Sequence, residues 1–159
     1  MSESNGIPFQ LTGEARQKAL ERCFSVIEGW GLTLPDVEPI VLDFGLGRFE
    51  ETGEIEFWIA NEEDAGYCGK FLFVDDGQTC PAHSHAVKHE TFFIVKGQVC
   101  MIMNDEERIL NQGDVLPMPT GNRHKFSGVG PALVLEVSMP SILHDSFFDN
   151  KEIAGGGVL

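Results

Sequence analysis

GQTCPAHSHAVKHETFFIVKG, running from Gly77 to Gly97, sets His83 and His85 two positions apart and Glu90 a short turn later. Side chains at i and i+2 of a strand share a face, so both imidazoles can converge on one point. Glu90 falls near the start of the next strand, and a tight connection returns its carboxylate to the same place. A second stretch, GDVLPMPTGNRHKF from Gly113 to Phe126, uses Pro119 and Gly121 to shape a turn and then delivers His124 into a strand. Three imidazoles and one carboxylate make a nitrogen/oxygen site with room for open positions. That set suits one divalent transition ion (Mn²⁺, Fe²⁺, Co²⁺, Ni²⁺ or Zn²⁺) and suits Ca²⁺ poorly. Of the remaining histidines, His89 points away from Glu90 if the segment is extended, and His144 has no partner in the pattern. Cys80, inside the first stretch, reads as a packed residue rather than a ligand.

Around these two stretches the pattern is one of short strands. Ile40–Phe44, Ile55–Ala60, Lys70–Val74, Thr91–Val95, Val99–Met103, Arg108–Leu110, Val115–Met118, His124–Ser127 and Leu133–Ser138 are predicted strands, mostly separated by glycine, acids or Asn. Asn104 to Glu107 reads as a hairpin turn. Upstream, Glu14 to Gly29 carries Ala19, Leu20, Cys23, Phe24, Val26 and Ile27 at helical spacing, with Gly29 and Gly31 as stop signals. One helix followed by many short strands predicts an all-β sandwich or barrel behind an N-terminal helix. The divisions expected are residues 1–36 for helix and connection, 37–150 for the barrel, and 151–159 for a tail made loose by Gly155, Gly156 and Gly157. Phe71, Leu72, Phe73 and Val74 cannot all face one interior, because side chains alternate. The helix and a second subunit are expected to cover the outer face, which predicts a homodimer.

The chain has 159 residues, enough for one domain with one core. Its hydrophobic content of 42% excludes a disordered chain. The formal charge of −14 repels phosphodiester backbones and argues against nucleic acid as a partner. MSESNGIPFQ has no basic patch followed by an apolar run, and no stretch approaches the roughly 20 apolar residues of a membrane helix. No membrane partner and a cytoplasmic location are therefore expected. Cys23, Cys68, Cys80 and Cys100 form no CxxC pair and read as reduced thiols.

The two motifs resemble those of the cupins. The first matches Gly, five residues, His-x-His, four residues, Glu, six residues, Gly. The second matches Gly, five residues, Pro-x-Gly, two residues, His, departing only where cupins often carry Asn and this chain has Gly128. The resemblance implies a single-domain double-stranded β-helix, the jelly-roll barrel, with His83, His85, Glu90 and His124 as metal ligands. Flanking words extend the likeness to the D-lyxose ketol-isomerase type of sugar-isomerase cupin: LDFGLG (Leu42–Gly47), Tyr67-Cys68-Gly69-Lys70, Lys88 with Glu90-Thr91-Phe92, Glu136-Val137-Ser138 and HDSFFDN (His144–Asn150). Residues 98–112 alone separate the two motifs, where the lyxose isomerases carry a longer insertion.

What the resemblance implies is a metal-dependent aldose–ketose isomerase acting on a small sugar through a metal-stabilised enediol, with Mn²⁺ as the leading ion. Such a reaction needs a base to carry a proton between C1 and C2. Glu136, in the apolar strand ALVLEVS, is the candidate; burial raises a carboxyl pKa towards working pH. Its alternative is an exposed glutamate on an edge strand, and the resemblance favours the base. Lys70 is the second catalytic candidate, either inside the barrel or as an edge lysine that discourages aggregation. Lys88, Asp43, Trp58, Phe92 and Asp145 are candidate substrate contacts. Lys88 is placed by the pattern on a loop at the cavity mouth, and Trp58 and Phe92 could equally be core. Two other functions use the same ligands: an iron-dependent cupin dioxygenase, and a non-catalytic small-molecule-binding cupin.

Overall fold

The computed structural model describes residues 10–153, so the expected glycine-rich tail falls outside the described residues. Helix α1 spans Gly13–Gly29 and ends in a Schellman arrangement. Gly31, at φ 69°, donates to the Glu28 carbonyl at 2.9 Å, and Leu32 donates to that of Ile27 at 3.2 Å. Gly31 is needed there because a side chain would be strained at that φ. Eleven strands follow: β1 (Ile40–Leu42), β2 (Glu54–Glu62), β3 (Tyr67–Val74), β4 (Thr79–His85), β5 (Glu90–Lys96), β6 (Gln98–Met103), β7 (Glu106–Asn111), β8 (Val115–Met118), β9 (His124–Gly128), β10 (Ala132–Ser138) and β11 (Ser146–Phe148).

They form two antiparallel sheets, a six-stranded one in the order β1-β2-β3-β10-β5-β8 and a five-stranded one in the order β11-β4-β9-β6-β7. The jelly-roll class read from the motifs holds. Between the sheets pack Leu72, Val74, Ile94, Val99, Met101, Phe92, Met118, Phe126 and Val134, all buried. β3 shows how alternation divides its apolar run. Leu72 and Val74 enter the barrel, while Phe73 joins a second cluster under α1 with Cys23, Ile27, Ile55, Phe57 and Leu133. The helix thus covers the outer face of the β2–β3–β10 region, as the doubly apolar strand required. Burial pushes the Cys23 thiol up to about 12, which leaves it an inert packing group.

Strand boundaries differ from the sequence reading by a residue or a few. Asn104 and Asp105 form a two-residue hairpin turn with φ of 49° and 68°, so Glu106 and Glu107 belong to β7. The short segment between the motifs is mostly the β6–β7 hairpin; Val99 and Met101 point into the core, with Met103 packed against it. β11 was not predicted. It has only three residues, too few for a period, and exists by pairing with β4: Ser146 opposite His85 and Phe148 opposite His83. A bulge in β4 lies between Cys80 and His83, at Pro81, which cannot donate to a ladder.

Candidate active site

Each of the three histidines is oriented by a backbone carbonyl. His83 Nδ1 lies 2.8 Å from the Pro81 carbonyl, His85 Nδ1 2.9 Å from that of Asp145, and His124 Nδ1 3.1 Å from that of Asn122. A carbonyl only accepts, so the proton resides on Nδ1 and each Nε2 carries its lone pair inward. The three rings offer ligand atoms within 4.8 Å of one another. Glu90 reaches the same point from the other sheet, its oxygens 3.5 Å from His85 Nε2 and 3.2 Å from His124 Nε2. All four side chains are buried, yet His85 Nε2, His124 Nε2 and Glu90 Oε2 have no hydrogen-bond partner. Buried polar atoms left in this way are costly unless something else satisfies them. A divalent cation fits both the donor set and the lone-pair directions. Burial, with the neighbouring His124 and His85 rings, holds His83 well below the ordinary imidazole range, so the ring stays neutral and ready to ligate.

Beside this cluster runs a line of buried charges. The Lys88 ammonium sits 2.8 Å from Glu90 Oε1 and 3.0 Å from Glu136 Oε1. Lys70 lies 3.8 Å from Glu136 Oε2 and 3.5 Å from Glu56 Oε2, and its ammonium stands 4.5 Å from the Trp58 ring centroid. Ser138 donates to Glu136 Oε1 at 2.8 Å. Burial opposes the charge on Lys88, but Glu136 and Glu90 outweigh it and hold the ammonium's proton more tightly than usual. Burial also opposes the charge on Glu90, and there the Lys88 ammonium wins, holding its carboxyl well below the usual range. Glu54, next along β2, is pushed the other way by burial and by Glu56. Four glutamates (Glu54, Glu56, Glu90 and Glu136) thus face two lysines in the interior.

The structure brings together His83, His85, Glu90, His124, Glu136, Lys70 and Lys88. Lys88 is not at a solvated mouth: it is 1% exposed and central, because Asp145 folds its loop inward. Asp145 Oδ1 accepts from the amides of Ala86 and Val87, and Oδ2 from that of Lys88, at 2.9–3.0 Å. With three amides occupying its carboxylate, Asp145 holds the loop and, through its carbonyl, His85. Phe92 lies in the barrel core, its ring centroid 5.7 Å from that of His124. Trp58 donates from Nε1 to Glu56 and packs beside Phe44 and Phe148. Asp43 shapes the turn after β1, accepting from the Gly45 amide at 2.9 Å, and no contact joins it to the charged cluster.

Glu54, Glu56 and Ser141 were missed by the sequence reading. The signal for the first two was present in Glu54-Ile55-Glu56-Phe57. An apolar-inward rule points the acids to solvent, but α1 covers the Ile55 and Phe57 side and turns the glutamates into the barrel. Ser141 lies on the connection between β10 and β11. Its hydroxyl is 3.4 Å from Lys70 Nζ and 3.3 Å from Lys88 Nζ, and its backbone is clamped to the Asn61 side chain.

Replacing Asp145 with Ala strands three loop amides and frees the loop that carries Lys88. We expect a loss of about 1–3 kcal/mol per amide left buried and unpaired, read as a lower melting temperature. Metal affinity should fall roughly 10- to 100-fold through His85, read by metal titration.

The cupin domain family matches residues 70–138, the span that carries all four clustered ligand candidates. A D-lyxose ketol-isomerase of Cohnella laeviribosi is 30% identical over 159 residues, covering 80% of this chain and 84% of that protein. The chain belongs to the D-lyxose ketol-isomerase family of cupins. A second D-lyxose ketol-isomerase, from Thermofilum sp. (strain ex4484_79), is 28% identical over 175 residues, 90% of this chain and 96% of its own. The barrel also matches the L-ribose isomerase of Acinetobacter sp. DL28 in complex with L-ribose. That structure superposes with a TM-score of 0.75 at 16% identity, covering 91% of this chain and 94% of that one, a likeness of fold.

Proposed function

We propose that the protein is a metal-dependent aldose–ketose isomerase acting on a small unphosphorylated sugar of the D-lyxose type. The observation that carries this is the Lys88 bridge, which holds the Glu136 carboxylate beside the His₃Glu cluster. His83, His85, Glu90 and His124 would hold the ion, Mn²⁺ in the leading reading. A divalent ion held there would supply Lewis-acid polarisation of the sugar carbonyl.

Glu136 takes the proton from C2 of the aldose and returns it to C1 of the enediol, while the O2 hydroxyl proton passes to O1. Ser138 fixes the carboxylate's orientation. Lys88 and Lys70, on either side of Glu136, offset negative charge as it gathers on the substrate oxygens. Asp145 acts through Lys88 and His85 rather than on the sugar. Four interior carboxyl groups disfavour a phosphate ester. The test is to load the purified protein with each divalent ion in turn and assay interconversion across pentoses and hexoses. No interconversion of any aldose, together with O₂ consumption by the iron-loaded sample, would establish the dioxygenase instead. That chemistry favours a pocket without a carboxylate base, and the inward Glu136, 2% exposed, speaks against it.

The active unit in this reading is a homodimer. The outer face of the six-stranded sheet beyond α1 exposes Val137 at 56%, Phe93 at 37% and Val115 at 59%. Phe93 stands opposite Leu135 on one side and Val115 on the other, so an apolar row crosses three strands. Sedimentation at micromolar concentration should give a dimer, and Val115→Glu should shift it to monomer; a monomer before substitution would refute the interface. Among the described residues no helix is long and apolar enough to cross a membrane.

A further inference from the structure

We infer that Glu54 and Glu56 are the residues that select the sugar, by accepting hydrogen bonds from hydroxyls of the chain beyond C2. The inference rests on the isomerase reading and names the part of the site that would set its substrate. Both glutamates are 1% exposed. Glu54 Oε2 and Glu56 Oε1 have no hydrogen-bond partner. The cavity they line, about 10 Å³ and so the size of a single hydroxyl group, is shared with His83, Glu90 and Glu136. Two carboxyl oxygens kept out of water without a partner are a standing cost to the fold. Retention of such a cost at a cavity wall points to a ligand that removes it.

The ligand chemistry follows from the atoms. Unpartnered carboxyl oxygens facing a small cavity match O–H donors, and a row of them on adjacent carbons is a polyol. The position fits as well. Glu56 and Glu136 flank Lys70 from the two strands that border β3, so the pair lies one lysine away from the base. Glu56 is also held from behind, its Oε2 engaged by Trp58 and Lys70, which leaves Oε1 fixed towards the cavity.

The probe is a pentitol, which has the hydroxyls of a pentose and cannot isomerise, titrated calorimetrically into the Mn²⁺-loaded protein. Glu56→Gln should weaken binding about 10- to 100-fold, the range for a hydrogen bond to a charged group, and Glu54→Gln, whose carboxyl is held towards its neutral form by burial and Glu56, about 2- to 10-fold. The unaltered protein should distinguish aldopentoses that differ only at C3 or C4, and the variants should lose that preference by a similar factor in kcat/KM. Glu54→Gln should also melt no lower than the unaltered protein without ligand, whereas a glutamate kept for structure alone would lower the melting point when replaced. In the unaltered protein, deoxy-pentitols lacking one hydroxyl beyond C2 should bind more weakly, a result independent of how the variants fold. If the unaltered protein binds pentitol and isomerises aldoses, yet both variants keep its affinity and its sugar preference, or the deoxy compounds bind as well as the parent, this inference is wrong and the isomerase reading stands. If the unaltered protein isomerises nothing, both fall together.

Discussion

Glu136→Gln lowers turnover by about 10²- to 10⁴-fold, the contribution of a positioned general base, while metal content and sugar binding persist. The amide has the size of the carboxylate and keeps an oxygen to accept from Ser138, 2.8 Å away in the native structure. It cannot take a proton from carbon. Lys88 retains Glu90 as a partner at 2.8 Å, so the neighbouring cluster is not dismantled. The loss should therefore sit in kcat rather than in metal stoichiometry or pentitol affinity. Running the native protein in D₂O should place deuterium at C1 or C2 of the product, because a proton held on a carboxyl exchanges before it is returned. Full turnover in the Gln variant would remove Glu136 from the base role and turn attention to Lys70, buried beside both Glu56 and Glu136, which could take a proton only as the neutral amine.

His124→Ala has the second large effect. The ring supplies one of three inward Nε2 atoms and is 2% exposed. Its loss takes a ligand from β9 and leaves Glu90 with one imidazole neighbour of two. Metal per chain, measured by elemental analysis after dialysis, should fall well below the native value, because the site loses one of its four protein donors and the ring that closes it on the β9 side. Unchanged stoichiometry would strike His124 from the ligand set. The void also costs packing against Phe92 and His83, so a lower melting temperature is expected alongside.

The ligand candidates were legible because strand geometry converts spacing into direction. His83 and His85 share a face by alternation alone, and the turn signals at Pro119 and Gly121 bring His124 beside them. The short strands pointed to an all-β sandwich or barrel, and the resemblance of the two motifs to the cupins narrowed it to a jelly roll. Lys88 was misplaced because spacing says where a backbone goes and not how a loop is folded. Its burial depends on Asp145, 57 positions away, accepting its amide. The inward turn of Glu54 and Glu56 was hidden for a related reason. Which side of an alternating strand is the inside depends on what covers the other side, and for β2 that cover is α1. β11 is set by pairing with β4, and a three-residue strand has no period to read.

The ligand candidates come from both layers of the barrel: His83, His85 and His124 from the five-stranded sheet, Glu90 from the six-stranded one. A cation seated among them is therefore also a rivet through the wall of the molecule. The barrel core between those layers is packed by apolar contact, which resists separation without fixing one sheet's position against the other. With the rivet in place, sliding of β4 against β5 would have to stretch metal–ligand distances, and the two faces that present the base and the ligands to a sugar stay in alignment. Glu90 is the single ligand candidate on its side, so the coupling that an ion would give the two layers hangs on one side chain.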